Sequence, residues 1–184
     1  MGLYLMNQNS APIFEAMAEY AADGAVAFHT PGHKQGKGIP DIIKKIITPA
    51  GLKMDVSLMA ELDDLFAPET CIKKAQELAA ELYNADDTFF MINGTTGAVH
   101  IMLLSVLSPG DKIIMPRNVH KSVLGAVILC GAQPIFIEPA VSSDIGIAMS
   151  VRTADADAAI KKNPEAKAVL LVYPTYYGAC RSEE

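Results

Sequence analysis

Four short stretches carry residue types able to do chemistry: Asn93-Gly-Thr-Thr-Gly-Ala98, Pro116-Arg-Asn-Val-His-Lys-Ser122, Tyr173-Pro-Thr-Tyr-Tyr-Gly178 and Thr30-Pro-Gly-His-Lys34. In the first, Gly94 and Gly97 let backbone approach a ligand closely, and Thr95 and Thr96 add hydroxyl donors. If a helix begins there, free N–H groups and the positive end of the helix dipole point at the same spot, which suits a phosphate monoester. The alternative is a tight turn with a Thr cap. The stretch is neither GxGxxG nor GxxxxGK[ST], so dinucleotide and P-loop readings lose ground. In the second stretch, the His120 imidazole could stack on a flat ring or move protons, or it could simply cap a helix. In the third, Thr175 with Tyr176 and Tyr177 fits either a ligand pocket or an aromatic lid over the core. In the fourth, His29 and His33 are separated by Pro31-Gly32, which excludes helical metal ligation and leaves a structured turn. No metal site is expected.

These stretches need a scaffold, and the pattern supplies one. Helices are expected over 11–22, with Ser10 as N-cap and Asp23-Gly24 as stop, and from residue 68 to about Asn84, where Ile72, Ala75, Ala79 and Leu82 recur at helical spacing. Residues 28–38 are too rich in Pro and Gly for regular structure, and a mixed polar segment follows them. Residues 88–92 read as a buried strand and 95–107 as a helix. Strand 112–116, helix 119–130 closed by Gly131, strand 134–138, a helix near 154–162 and strand 168–172 follow. Strand and helix in alternation predict an α/β fold of three layers, α/β/α, with a mostly parallel sheet. Ligands in such sheets sit beyond the carboxyl ends of the strands, where the first three stretches fall.

Composition narrows the function. The 184 residues are 51% apolar and 20% charged, as in globular proteins. A net charge of -6 argues against nucleic acid or an anionic membrane as partner. The longest apolar candidate, 101–107, is far short of the ~18 residues of a spanning helix. The opening residues lack the basic and apolar regions of a secretory signal. Three scattered cysteines, with no CxxC pair, point to a reducing cytoplasm.

Together the pieces FHTPGHKQGKG, ELDDLFAPE, ELYNAD, TFFMINGTTGA, SPGDKIIMPRNVHKS and YPTYYGAC resemble the Orn/Lys/Arg decarboxylase family, in that family's order, from Phe28 to Cys180. The resemblance implies the fold type I major domain of enzymes that depend on pyridoxal 5'-phosphate. It implies an N-terminal helix and extended arm over 1–67 and an incomplete major domain over 68–184. It implies that Gly94, Thr95 and Thr96 hold the cofactor phosphate, that His120 stacks on the pyridine ring as a catalytic residue, and that Thr175 with Tyr176 and Tyr177 lies near cofactor or substrate. The implied activity is decarboxylation of arginine, lysine or ornithine to a polyamine-pathway amine, in a cytoplasmic homodimer or higher oligomer. The residues that grip the substrate stay unassigned.

The family's D-x-H segment, which pairs with the ring nitrogen, and its S-x-H-K segment, which carries the cofactor lysine, are not found in these residues. The expectation is therefore a fragment or truncated reading frame that does not form the covalent cofactor link alone. Two other readings are weighed. One is an inactive homologue that pairs with a full-length paralogue. The other is a nucleotide-binding domain, against which the second strand ends in Met115-Pro116-Arg117 rather than an acidic residue.

Overall fold

The computed structural model describes residues 6–180, which form two compact units that meet in sequence between Phe90 and Met91. The first unit contains helices α1 (Pro12–Asp23), α2 (Asp41–Lys44), α3 (Pro49–Lys53) and α4 (Cys71–Tyr83), with α1 packed on α4. The short helices α2 and α3 arise in the segment that sequence pattern leaves irregular. Helix α1 is expected to be capped by Ser10, but its hydroxyl donates back to the Asn7 carbonyl at 2.7 Å. Glu15 takes over instead, accepting from the Ala11 N–H at 2.8 Å. Helix α4 ends on Asn84 at φ 50°, an asparagine doing what glycine usually does.

The start of α4 is capped from a distance. Thr70, at the N-cap position, makes no side-chain cap. The Asp63 carboxylate accepts from the N–H groups of Asp64 and Glu69 at 2.9 Å each, of Thr70 at 2.8 Å and of Ile72 at 2.9 Å. A carboxylate at the positive end of a helix, with several charge-assisted hydrogen bonds, is strongly favoured. Burial alone would raise its pKa; the backbone donors outweigh that and hold it well below the usual carboxylate range.

The second unit is α/β. Helix α5 (Gly94–Leu104) precedes strand β1 (Lys112–Pro116), helix α6 (Lys121–Cys130), strand β2 (Gln133–Ile137), helix α7 (Thr153–Lys162) and strand β3 (Ala168–Val169). The three strands are parallel in the order β2-β1-β3. The chain steps from β1 to β2 in one direction and from β2 back past β1 to β3 in the other. Right-handed crossovers then put α6 and α7 on opposite faces, which makes the three layers. Ile113, Ile114 and Met115 of β1 are each 0% exposed, as a central strand covered on both faces requires. Ile113 and Met115 join Leu103, Leu107, Val123, Ala126, Val127 and Cys130 in one core against α5 and α6.

Two expected strands differ. Residues 88–92 run without a ladder partner among the described residues, and Phe89 and Ile92 are 73% and 77% exposed. Strand β3 is two residues long, where five were expected. The Leu170 N–H donates to the Ile114 carbonyl at 2.8 Å. The next ladder donor from β1 would be residue 116, and Pro116 has no N–H.

Candidate functional site

Three of the four candidate stretches lie in the second unit, at the carboxyl end of its sheet. Helices α5 and α6 both run antiparallel to β1, one leading into it and one out of it, so they lie parallel to each other. Their packing agrees: a Cβ on Gly125 of α6 would stand 3.2 Å from His100 Nε2 of α5, and one on Gly131 would stand 3.4 Å from Pro109 beyond α5. The two N-termini, Gly94-Thr95-Thr96 and His120-Lys121, therefore stand side by side at one end of the helix pair.

The start of α5 has the form of an anion cradle. Gly94 sits at φ 63°, and a Cβ on Gly97 would come within 2.8 Å of Asn93 Cβ, so the turn into the helix closes only with glycine there. The first backbone bond of the helix runs from the Gly97 N–H to the Asn93 carbonyl at 3.3 Å. The N–H groups of Gly94, Thr95 and Thr96 precede it and are left for a ligand or water. The side chain of Asn93 makes no cap, and both threonines are exposed. No anionic side chain stands in the first turn to compete.

His120 caps α6. Its Nδ1 accepts from the Ser122 N–H at 3.2 Å and lies 2.8 Å from Ser122 Oγ. Capping was the plainer of the two readings of this histidine, and it accounts for one ring edge. The residue is exposed, so its ring remains open to a ligand.

Thr175 is 5% exposed and closes its own turn: its Oγ1 accepts from the Ala179 N–H at 3.1 Å. It lines a cavity of about 450 Å³ with Asn118, Met149, Thr153 and Tyr173 at the ends of β1 and β3. Thr95, Thr96 and His120 do not line this cavity, so it and the helix-end cradle are adjoining features of one edge rather than one pocket. Tyr176 and Tyr177 are 92% and 60% exposed and meet each other edge to face at 5.3 Å. They form no lid over the core among the described residues. Asn118 and Thr153 were missed in the sequence; Asn118 donates to the Met149 carbonyl at 3.3 Å, a link no local pattern announces.

The Thr30-Pro-Gly-His-Lys34 stretch lies in the first unit as a structured turn. His33 Nδ1 accepts from the Gly36 N–H at 2.9 Å, and its Nε2 is 3.1 Å from Asp55. Lys34 lies over the Phe28 ring at 4.9 Å. Among the described residues no group of three or more His, Cys, Asp or Glu side chains could hold a metal ion. No helix among them is long and apolar enough to cross a membrane.

Comparison with known proteins bears on the family and the fold. Residues 11–184 match the Orn/Lys/Arg decarboxylase major domain. The chain is 43% identical over 173 residues to the arginine decarboxylase of Bacillus subtilis, covering 94% of this chain and 35% of that protein. It is 37% identical over 142 residues to the ornithine decarboxylase of Haemophilus influenzae, covering 70% of this chain and 19% of the relative. The solved lysine decarboxylase LdcF of Francisella novicida shares the fold, with a TM-score of 0.73 over 90% of this chain and 25% of that structure, at 24% identity. The chain thus spans about a third of the arginine decarboxylase or less of these other proteins. With a family match running from the first helix to the end of the sequence, this chain belongs to the Orn/Lys/Arg decarboxylase family.

Proposed function

We propose that this chain supplies the phosphate-binding and ring-facing part of a pyridoxal 5'-phosphate-dependent decarboxylase of a basic amino acid, arginine, lysine or ornithine. One observation carries the reading: α5 packs along α6 with Gly125 against His100, from which the helix start at Gly94-Thr95-Thr96 and the exposed His120 are inferred to share one end of the helix pair. The residues fit the group. Backbone N–H groups and two hydroxyls match a phosphate dianion, and the glycines keep Cβ atoms out of its approach. A flat imidazole face beside that cradle matches an aromatic ring held by its phosphate.

The cofactor, when bound, supplies an electron sink that lets the substrate carboxylate leave as carbon dioxide. The part assigned to this chain is positional. Gly94, Thr95 and Thr96 anchor the phosphate, His120 covers one ring face, and Thr175 lies in the neighbouring cavity on the substrate side. No lysine lines that cavity, so the covalent anchor is not assigned to it. The reading includes a small basic amino acid as substrate, a homo-oligomeric assembly and a cytoplasmic setting. The family match supports the first, and the other two extend the resemblance read from the sequence.

Titration of the chain with pyridoxal phosphate, followed by the cofactor's absorbance and fluorescence, tests this. Saturable binding is expected, displaced by inorganic phosphate and weakened about tenfold or more in the double variant T95V/T96V, as for two lost hydrogen bonds to a charged group. Equal affinity of the double variant and the parent chain would refute the cradle.

A further inference from the structure

We propose that Ser122 is a positioning residue that holds the His120 ring in one orientation and one tautomer, so that it presents a flat face and a donor edge rather than a base. This deepens the cofactor reading of His120 and rests on it. A backbone N–H can only donate, so the bond from the Ser122 N–H at 3.2 Å makes His120 Nδ1 an acceptor. Ser122 Oγ, 2.8 Å from the same nitrogen, must then donate as well. Two donors converge on one lone pair, and the proton of the neutral ring sits on Nε2. Taking a proton at Nδ1 would break the contact with the backbone N–H and reverse the one with the hydroxyl. The ring therefore carries no free lone pair; it offers its two π faces and an Nε2–H.

The anchor is itself rigid. Ser122 is 5% exposed in the first turn of α6, next to Val123 of the core. His120 is exposed and hangs from that fixed point by the ring edge nearest the backbone. A side chain pinned at Nδ1 loses its χ1 freedom before any ligand arrives, which lowers the ordering cost of stacking. Of the groups in the His120-Lys-Ser122 stretch, the serine hydroxyl is the part that a plain helix cap does not need, because the backbone N–H alone completes the cap.

The test uses the chain itself, labelled with 15N and 13C, with His120 signals assigned by their loss in H120Q. The parent is expected to show a pyridine-like Nδ1, a pyrrole-like Nε2 and three-bond couplings of a single χ1 rotamer. S122A keeps the backbone donor and nearly the same volume; its His120 couplings are expected to average over rotamers while the amide shifts of 123–130 stay in place. S122T, which restores a hydroxyl, is expected to restore the single rotamer. A rotamerically averaged His120 in the parent, or an unchanged single rotamer in S122A, would overturn the proposal; the parent measurement decides even if S122A fails to fold. Adding pyridoxal phosphate separates the two readings. A pinned His120 whose ring signals ignore the cofactor supports the positioning and overturns the cofactor role.

Discussion

Replacing Asp63 with alanine should unfasten helix α4. Four backbone N–H groups donate to this carboxylate at 2.8–2.9 Å, and a fifth, from Lys73, lies at 3.4 Å. Loss of a cap costs about 1–2 kcal/mol. The further donors left without their charged acceptor cost about 1 kcal/mol each where water cannot replace it. A cavity of about 470 Å³ borders Asp63, so water does replace part of it. The net expectation is about 3 kcal/mol, a large share of a domain's stability. With a urea slope of about 2 kcal/mol/M, the midpoint by far-UV circular dichroism should fall by about 1.5 M. Hydrogen exchange at 70–73 should rise in the same variant, which localises the effect. D63N keeps the shape but turns one acceptor oxygen into a donor, so it should lose nearly as much. D63G also loses the carboxylate but relieves the φ of 76° at this position, so it should lose about 1 kcal/mol less than D63A. A midpoint shift under about 0.3 M for D63A, the range of ordinary surface changes, would refute the capping account.

The same carboxylate sets an acid limit. Its folded pKa lies below the unfolded 3.8, so its stabilisation is complete above about pH 4 and fades as pH falls below that. Stability of the parent should therefore drop more steeply than that of D63N between pH 4 and 2, and parallel curves would count against it. Gly97→Ala would ordinarily strengthen a helix by about 1 kcal/mol, but here the new Cβ meets Asn93 Cβ at 2.8 Å. The variant should be destabilised and should bind pyridoxal phosphate more weakly, as read by thermal unfolding and titration. Gly125→Ala places a Cβ 3.2 Å from His100 Nε2, which would press α5 and α6 apart. It should cost about 1 kcal/mol or more, and the double variant G125A/H100A should recover most of it; additive losses in urea unfolding would contradict the contact.

Much of the fold was legible because it is local. The helical spacing of Ile72, Ala75, Ala79 and Leu82 locates α4, although Leu82 is 66% exposed and Gln76, Leu78 and Ala80 are buried instead, and Gly131 closes α6 at φ 66° as a left-handed cap should. The apolar run at 112–116 is β1 within a residue, because a central parallel strand is buried on both faces and shows it in composition. The glycines and threonines at 94–97 announce the turn into α5, since that property depends on the residues themselves.

What the sequence by itself determined, then, is which segments coil, which extend and where the punctuation falls. Tertiary structure decided the partners. Residues 88–92 read as a strand but have no ladder partner among the described residues, and β3 stops early because Pro116, on a neighbouring strand, withholds an N–H. Asp63 reaches across 9 positions to Ile72, and Asn118 across 31 to Met149. His120 could be read as a cap or a ring-facing group until the fold set its Nδ1 against Ser122 and left its ring exposed. A side chain's type states what bonds it can make. Which of them it makes depends on groups far away in the chain, and only packing brings those within reach.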